Sequence, residues 1–171
     1  METQIEQPII VVGVNATPES LAALDWAITW AQACDARLRV ITAYNPANPG
    51  SDAAGSYLNA MTKHEASARA RTAQAIMPRL RSSRLRYDHI VALGEIDTVL
   101  DTLSRDAMLA VVGSSKPTGW FARFRRSTAQ RLVGRLRCPL VSVTVDQGVP
   151  GASAKSVDTA KASRVLATAS R

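Results

Sequence analysis

The chain has 171 residues, of which 46% are apolar and 20% are charged. This length and composition are typical of one soluble domain with a substantial core. The sequence has no apolar run of the roughly 20 residues that span a bilayer, and its start does not resemble a secretory signal. We therefore expect a cytoplasmic protein. Two cysteines and two histidines at unrelated spacings predict no metal site.

The net charge of +7 is concentrated in one segment of the chain. Residues 116–137 contain seven basic side chains and no acidic one, so this segment alone equals the net charge. Such a basic segment attracts phosphates, acidic proteins or nucleic acid. The alternative is a solvated face that only aids solubility.

The first elements alternate between strand and helix patterns. Pro8–Val14 is a continuous apolar run typical of a buried parallel strand. A helix with apolar residues at helical spacing follows, with Thr17 as its N-cap and Pro18 in its first turn. The next apolar run, Leu38–Tyr44, predicts a second strand.

The middle of the chain predicts a loop, a long helix and a third strand. Asn45–Ser56 is rich in Asn, Pro, Gly and Ala and is typical of a loop. A long helix rich in Ala and Arg is predicted from Tyr57 to about Arg81, ended or kinked by Pro78. Leu85–Leu93 predicts the third strand, and Gly94 a turn.

The last elements repeat the alternation. A short helix is predicted at Glu95–Asp106, a fourth strand at Ala107–Gly113, a helix at about Ser127–Leu136 and a fifth strand at Pro139–Val145. The remaining residues, 147–171, are mostly Gly, Ala, Ser, Lys and Thr. They predict a largely disordered tail, with a transient C-terminal helix as the alternative.

This order predicts an α/β fold, namely a single doubly wound, five-stranded parallel sheet with helices on both faces. The domain would cover residues 1–146, and the flexible tail residues 147–171. Ligands bind such sheets past the carboxyl ends of the strands, at the topological switch point. If the first and fourth strands are neighbours, the site lies between residues 15–17 and the loop after Gly113.

The loop in question, GSSKPTGWFARFRRST, runs from Gly113 to Thr128. Its end can cap the next helix, whose free N–H groups suit a phosphate. The loop is a poor fit to a Walker A motif, because Gly113 and Gly119 are six apart and Trp120 stands where the lysine belongs.

Three pieces of the sequence together resemble the universal stress protein family: IIVVGVNATPESLAALDWA, LAVVGSS and RLRCPLVSV. The resemblance covers Pro8 to Val145, and the order of elements agrees throughout. It implies an adenine nucleotide alpha hydrolase-like, Rossmann-like fold and a homodimer formed through the last strand, residues 139–145. Some members of the family bind ATP and others do not.

The ATP-binding members resemble one another in a loop with Gly, two residues, Gly, nine residues, and Gly followed by Ser or Thr. In this chain Gly113 takes the first position, but Lys116 and Arg126 take the second and third. Ser127 fits the hydroxyl position. The two basic side chains either pair with a phosphate as charges or fill the groove and block it.

Two positions outside the loop are also implied by the resemblance. Asn15 stands where ATP-binding members have an Asp near the adenine and ribose, so the anionic acceptor is lost. Tyr44 stands where a residue of the second strand borders the adenine. The implied nucleotide-binding residues are Gly13, Val14, Asn15, Tyr44, Val112, Gly113, Lys116, Arg126, Ser127, Thr128 and Ala129.

The leading prediction is a regulatory or stress-response protein of the universal stress type, with ATP or another adenine nucleotide in an altered loop. The alternative is a module that binds a polyanion, nucleic acid or an acidic protein partner through the basic segment 116–137. Nucleic acid is the less favoured ligand, because no known nucleic-acid motif is present. No set of catalytic residues is apparent from spacing, so we expect a protein that is not an enzyme. The resemblance to ATP-binding members of the family implies at most a weak ATPase.

Overall fold

The computed structural model describes residues 7–45, 54–115 and 128–145. Strands and helices alternate along these residues, as the sequence predicts. In chain order they are β1 (Ile9–Gly13), α1 (Pro18–Ala33), β2 (Arg37–Tyr44), α2 (Ala54–Ser83), β3 (Tyr87–Leu93), α3 (Ile96–Leu103), β4 (Leu109–Ser115), α4 (Thr128–Leu132) and β5 (Leu140–Val145).

The five strands form one sheet in the order β3-β2-β1-β4-β5, and every neighbouring pair is parallel. One apolar cluster joins the sheet to α1 and α2, and a second joins it to α3 and α4. Helices therefore cover both faces, and the predicted doubly wound parallel sheet is confirmed. The switch point lies between β1 and β4, which are hydrogen-bonded neighbours.

The position of β1 at the centre of the sheet explains the continuous apolar run at Pro8–Val14. Ile10, Val11 and Val12 are all fully buried. Val12 packs in the cluster under α1 and α2, whereas Val11 packs in the cluster under α3 and α4. A strand covered on both faces needs apolar residues at every position, not at every second one.

Helix α1 begins as the sequence predicts. Thr17 is the N-cap, and the backbone N–H of Ser20 donates to its side-chain oxygen at 3.4 Å. Pro18 occupies the first turn, where the missing N–H costs no helical hydrogen bond. This cap fixes the start of α1 directly after β1.

Helix α2 differs from its predicted range, because it begins at Ala54 and continues through Pro78 to Ser83. The sequence predicts that Pro78 ends or kinks the helix, and the first of these alternatives is wrong, because the helix continues for five residues beyond the proline. Contacts with α1 hold the last turn in place: Arg79 pairs with Asp25 at 2.8 Å, and the Gln32 side chain donates to the Ser83 carbonyl at 2.9 Å. Tertiary contacts here outweigh the hydrogen bond that the proline removes.

Helix α4 is shorter than the predicted span of residues 127–136, since it ends at Leu132. Gly134 then adopts a positive φ of 82°, which only glycine takes without strain. Two predicted features, most of the loop between β4 and α4 and the tail 147–171, lie outside the described residues. Among the described residues, no helix has both the length and the apolar character to cross a membrane.

Candidate functional site

A cavity of about 250 Å³ opens at the carboxyl ends of β1 and β4. The chain leaves β1 for a helix on one face of the sheet and leaves β4 for a helix on the other, so the edge of the sheet opens between them. We call it the β1–β4 cavity. Its lining comprises Gly13, Val14, Asn15, Thr17, Ser20, Ala43, Asn45, Gly94, Glu95, Ile96, Val112, Gly113 and Thr128.

Most of the predicted nucleotide-binding residues that the structure describes meet in this cavity. They are Gly13, Val14, Asn15, Val112, Gly113 and Thr128. Ala129 instead packs in the buried cluster under α3 and α4, and Tyr44 lines a neighbouring cavity. Lys116, Arg126 and Ser127 lie outside the described residues.

The turn between β1 and α1 is built around the Asn15 side chain. Its oxygen Oδ1 accepts from the backbone N–H of Thr17 at 3.3 Å and from the Thr17 hydroxyl at 2.9 Å. Ala16 has a φ of 64°, in the left-handed region that side chains rarely adopt. Asn15 thus stabilises an unusual turn, and its Nδ2 group has no hydrogen-bond partner among the described residues.

Gly113 has a packing role that its sequence position does not reveal. A Cβ at this residue would lie 2.4 Å from the backbone carbonyl of Glu19 and 2.6 Å from the backbone nitrogen of Ser20. Only glycine lets β4 come this close to the first turn of α1. The glycine is therefore required by the fold, whether or not a phosphate approaches it.

The sequence analysis missed the wall of the cavity that follows β3. Glu95, an exposed residue at the start of α3, lines the cavity and accepts a hydrogen bond from the Asn45 side chain at 2.7 Å. In a parallel sheet every strand ends at the same edge, so the residues after the third strand belong to this edge too. That rule would have indicated Gly94 and Glu95 from the sequence.

The buried carboxylate of Asp97 in α3 pairs with one arginine of α4 and with one that follows this helix. The Asp97 side chain lies 3.1 Å from Arg135 and 3.9 Å from Arg131, measured between nitrogen and oxygen. Two of the seven basic residues in segment 116–137 are therefore paired with an acid of the same domain, although both side chains remain exposed. Arg137 is exposed, and the other four lie outside the described residues.

A second cavity of about 220 Å³ lies between the carboxyl end of β2 and α2, and we call it the β2–α2 cavity. Thr42 and Thr72 line it and are almost fully buried. Both hydroxyls contact Nε2 of His89, at 3.1 Å and 3.4 Å. Burial of the imidazole lowers its pKa below the usual value, and the charge of Arg69 adds to this effect.

The remaining lining of the β2–α2 cavity is mixed. Tyr44, which the resemblance places beside the adenine, has its side chain here and donates from its hydroxyl to Glu65 at 3.4 Å. Asn15, Ala43 and Asn45 line both cavities. The two cavities are therefore neighbours at the same edge of the sheet. Within residues 7–45, 54–115 and 128–145, no cluster of three or more potential metal ligands is present.

A model of the universal stress protein family matches residues 8–144. The chain belongs to the universal stress protein family. This confirms the resemblance that the three sequence pieces carry. Among curated protein sequences, none matches the chain significantly.

Solved structures of the family share this fold at low identity. Universal stress protein UspA from Lactobacillus plantarum is 18% identical with a TM-score of 0.63, over 80% of this chain and 97% of that one. A universal stress protein in complex with cAMP is 20% identical with a TM-score of 0.58, over 80% and 96%. A family protein from Arabidopsis thaliana with AMP bound is 12% identical with a TM-score of 0.58, over 82% and 93%.

Proposed function

We propose that this universal stress protein is a regulatory protein that binds an adenine nucleotide in the β1–β4 cavity. The observation that carries the proposal is the meeting of Gly13, Val14, Asn15, Val112, Gly113 and Thr128 around one cavity at the switch point. Proteins of similar fold hold cAMP or AMP in their solved structures, which supports an adenine nucleotide as the ligand class.

The charges around the cavity suggest how the nucleotide lies in it. Glu95 repels a phosphate but can accept hydrogen bonds from ribose hydroxyls, so the ribose is expected at the Asn15 and Glu95 side. The phosphate is expected near Thr128, where the basic loop rejoins the described part of the chain. Lys116 and Arg126, which replace the glycines of ATP-binding members, would then contact the phosphate through their charges.

The substitution Asn15→Asp tests this arrangement. A carboxylate can keep one oxygen on the Thr17 turn and offer the other to a ribose hydroxyl. We expect affinity for AMP to rise about fivefold, because hydrogen bonds to a charged group contribute about 1 kcal/mol more than neutral ones. The measurement is calorimetric titration with AMP, cAMP and ATP.

Gln74→Glu is the control, because it makes the same amide-to-carboxylate change at an exposed position of α2 that lines neither cavity. It should leave the affinity unchanged. If neither the natural protein nor the Asn15→Asp variant binds any of the three nucleotides, the proposal is wrong.

A homodimer through residues 139–145 belongs to the same proposal. Members of the family are often dimeric, and β5 lies at the edge of the sheet, where its outer side is free to pair within the described part of the chain. The cytoplasmic location and the division at residue 146 stay predictions.

Binding of a polyanion or an acidic partner through segment 116–137 remains the second candidate. Ion pairing of Arg131 and Arg135 with Asp97 reduces the charge available for it. Under this reading, the triple charge reversal of Arg123, Arg125 and Arg126 to Glu abolishes binding of a polyphosphate probe. Under the nucleotide proposal alone, the natural protein does not bind the probe at physiological salt.

A further inference from the structure

Strand β3 lies at one edge of the sheet, and its pairing with β2 is continuous. All seven residues of β3 pair with residues of β2, without a bulge. At one end of this pairing the N–H of Leu38 donates to the Arg86 carbonyl at 2.9 Å. At the other end the N–H of Gly94 donates to the Tyr44 carbonyl, also at 2.9 Å. The parallel pattern between these two bonds directs the backbone groups of every second residue of β3 towards β2.

The backbone groups of the alternate residues of β3 point out of the sheet, and we call them the outward groups. They are the N–H and C=O groups of Tyr87, His89, Val91 and Leu93. Among the described residues, no strand pairs with them. Natural sheets usually protect such an edge with proline, lysine or a bulge, and β3 has none of these. Its one acidic residue, Asp88, is paired with Arg37 of β2 at 2.7 Å. The edge can therefore accept a further strand.

Three exposed arginines lie within six residues at the start of this edge. They are Arg81, Arg84 and Arg86. None of them has an ion-pair partner among the described residues. Arg81 lies in the last turn of α2, where a cation stabilises the end of a helix. The other two lie beyond the helix, so this effect does not explain them.

The turn between α2 and β3 holds these arginines on a fixed backbone. The Ser83 hydroxyl donates to the Leu80 carbonyl at 2.7 Å and accepts from the N–H of Leu85 at 3.3 Å. Leu80 is buried, and Leu85 packs against the apolar cluster under α1 and α2. Between them, Arg84 has a φ of 56°, which glycine adopts at lower cost. A strained, exposed arginine without a partner in the fold indicates that its side chain acts on another molecule.

We infer that the outer edge of β3 is a docking site for an extended acidic segment of a partner protein. The backbone of the segment pairs with the outward groups, as in β-strand addition. Its carboxylates pair with the arginines at the start of the edge. Nucleic acid is the less favourable partner, because it would contact the arginines but would leave the strand edge unpaired.

The site is separate from the proposed nucleotide cavity. Strand β2 lies between β3 and β1, so the outer edge of β3 is away from the switch point. The arginines lie at the amino end of β3, whereas the β1–β4 cavity opens at the carboxyl ends of its strands. Docking at this edge therefore does not depend on a bound nucleotide.

The test is hydrogen exchange of the full chain, with and without a capped peptide of about eight residues. Val and Thr alternate in the middle of the peptide, and a pair of Glu at each end places carboxylates beside the arginines in either strand direction. At saturating peptide we expect the outward amides of β3 to exchange about tenfold more slowly, because they become hydrogen-bonded. The amides that already donate to β2 should change less. A peptide with Lys in place of each Glu should bind about tenfold more weakly.

Variants of the edge and of the arginines separate the two parts of the site. Val91→Pro removes an outward N–H without removing a hydrogen bond of the sheet, so it should abolish binding. Val91→Ala is its control, since it shortens the same side chain and keeps the N–H. Arg86→Gln should weaken binding about threefold. Arg137→Gln removes an exposed charge just before the other edge strand and should leave binding unchanged. Arg84→Gly should weaken binding without lowering the free energy of unfolding, because it relieves the strained φ.

Four results would overturn the inference. The first is no slowing of exchange at millimolar peptide, and the second is unchanged binding in a folded Val91→Pro protein. The third is equal binding of the Glu and Lys peptides. The fourth is a loss of self-association in the Val91→Pro protein, which would assign the edge to a second copy of the chain. If Val91→Pro does not fold, Arg84→Gly and Arg86→Gln decide: full peptide affinity in both variants would overturn the inference. AMP affinity is measured separately, so failure of this site and failure of the nucleotide proposal are distinguishable.

Discussion

Among the described residues, His89 is a group that titrates near neutral pH and whose pKa the fold changes. Its pKa is lowered, first by burial and then by the charge of Arg69, so the folded protein binds this proton more weakly than the unfolded chain does. His89 therefore contributes to the free energy of unfolding at pH values above the ordinary histidine pKa of about 6.5. This contribution is lost as the pH falls through the pKa that His89 has in the folded protein.

We expect the free energy of unfolding to fall between pH 7 and pH 5.5, and His89→Gln to reduce that fall. The measurement is the urea midpoint at both pH values. His64→Gln, at an exposed position of α2, is the control and should keep the dependence of the natural protein. An identical dependence in the His89→Gln protein would exclude His89 as its source.

The sequence alone could not predict the contacts of His89. They depend on register, because Thr42 and His89 lie on neighbouring strands, with Thr42 opposite Val91 and His89 opposite Val40. Asn15 and Gly113 were found because they lie at the carboxyl ends of the two strands that flank the switch point, and topology predicts that point. Glu95 could have been predicted in the same way, because it follows β3, a third strand that ends at the same edge of the sheet.

Gly113 shows how one element sets the geometry of another. Gly113→Ala is expected to lower the free energy of unfolding by about 1–3 kcal/mol, because the added carbon meets backbone atoms of α1 that cannot move aside. Urea unfolding measures the change. Gly13→Ala is the control: its nearest neighbour is the Leu100 side chain at 3.3 Å, which can shift, so the cost should be smaller. Equal costs would contradict the packing argument.

At the scale of elements, apolar patterns predicted the order of the strands and helices well, but predicted the residues at which they end less well. Strand β1 is buried on both sides, and its uninterrupted apolar run could be read directly. The end of α2 could not be predicted from the local sequence, because Arg79 and Ser83 contact residues of α1 that are about 50 positions away along the chain. Local propensity at Pro78 predicts a break, and distant contacts override it.

At the scale of the whole molecule, the sheet formed by the described residues has β3 and β5 as its two edge strands. Along β5, the backbone N–H and C=O groups of successive residues point alternately towards β4 and away from it. The N–H of Ala110 donates to the Pro139 carbonyl at 2.9 Å, and Ala110 lies opposite Leu140. The parallel pattern then directs the N–H of Val141 towards β4 and the N–H of Ser142 away from it.

Ser142→Pro therefore tests the proposed dimer without removing a hydrogen bond of the protomer. Proline lacks the N–H that a second copy of β5 would accept, and its ring occupies the space of the partner strand. We expect the natural protein and Ser142→Ala to sediment as dimers and Ser142→Pro as a monomer, with unchanged circular dichroism. A folded Ser142→Pro protein that still sediments as a dimer would place the interface elsewhere, and the open edge of β3 would be the next candidate. Because two-fold pairing of β5 leaves the carboxyl ends of both sheets accessible, loss of the dimer should not reduce AMP affinity.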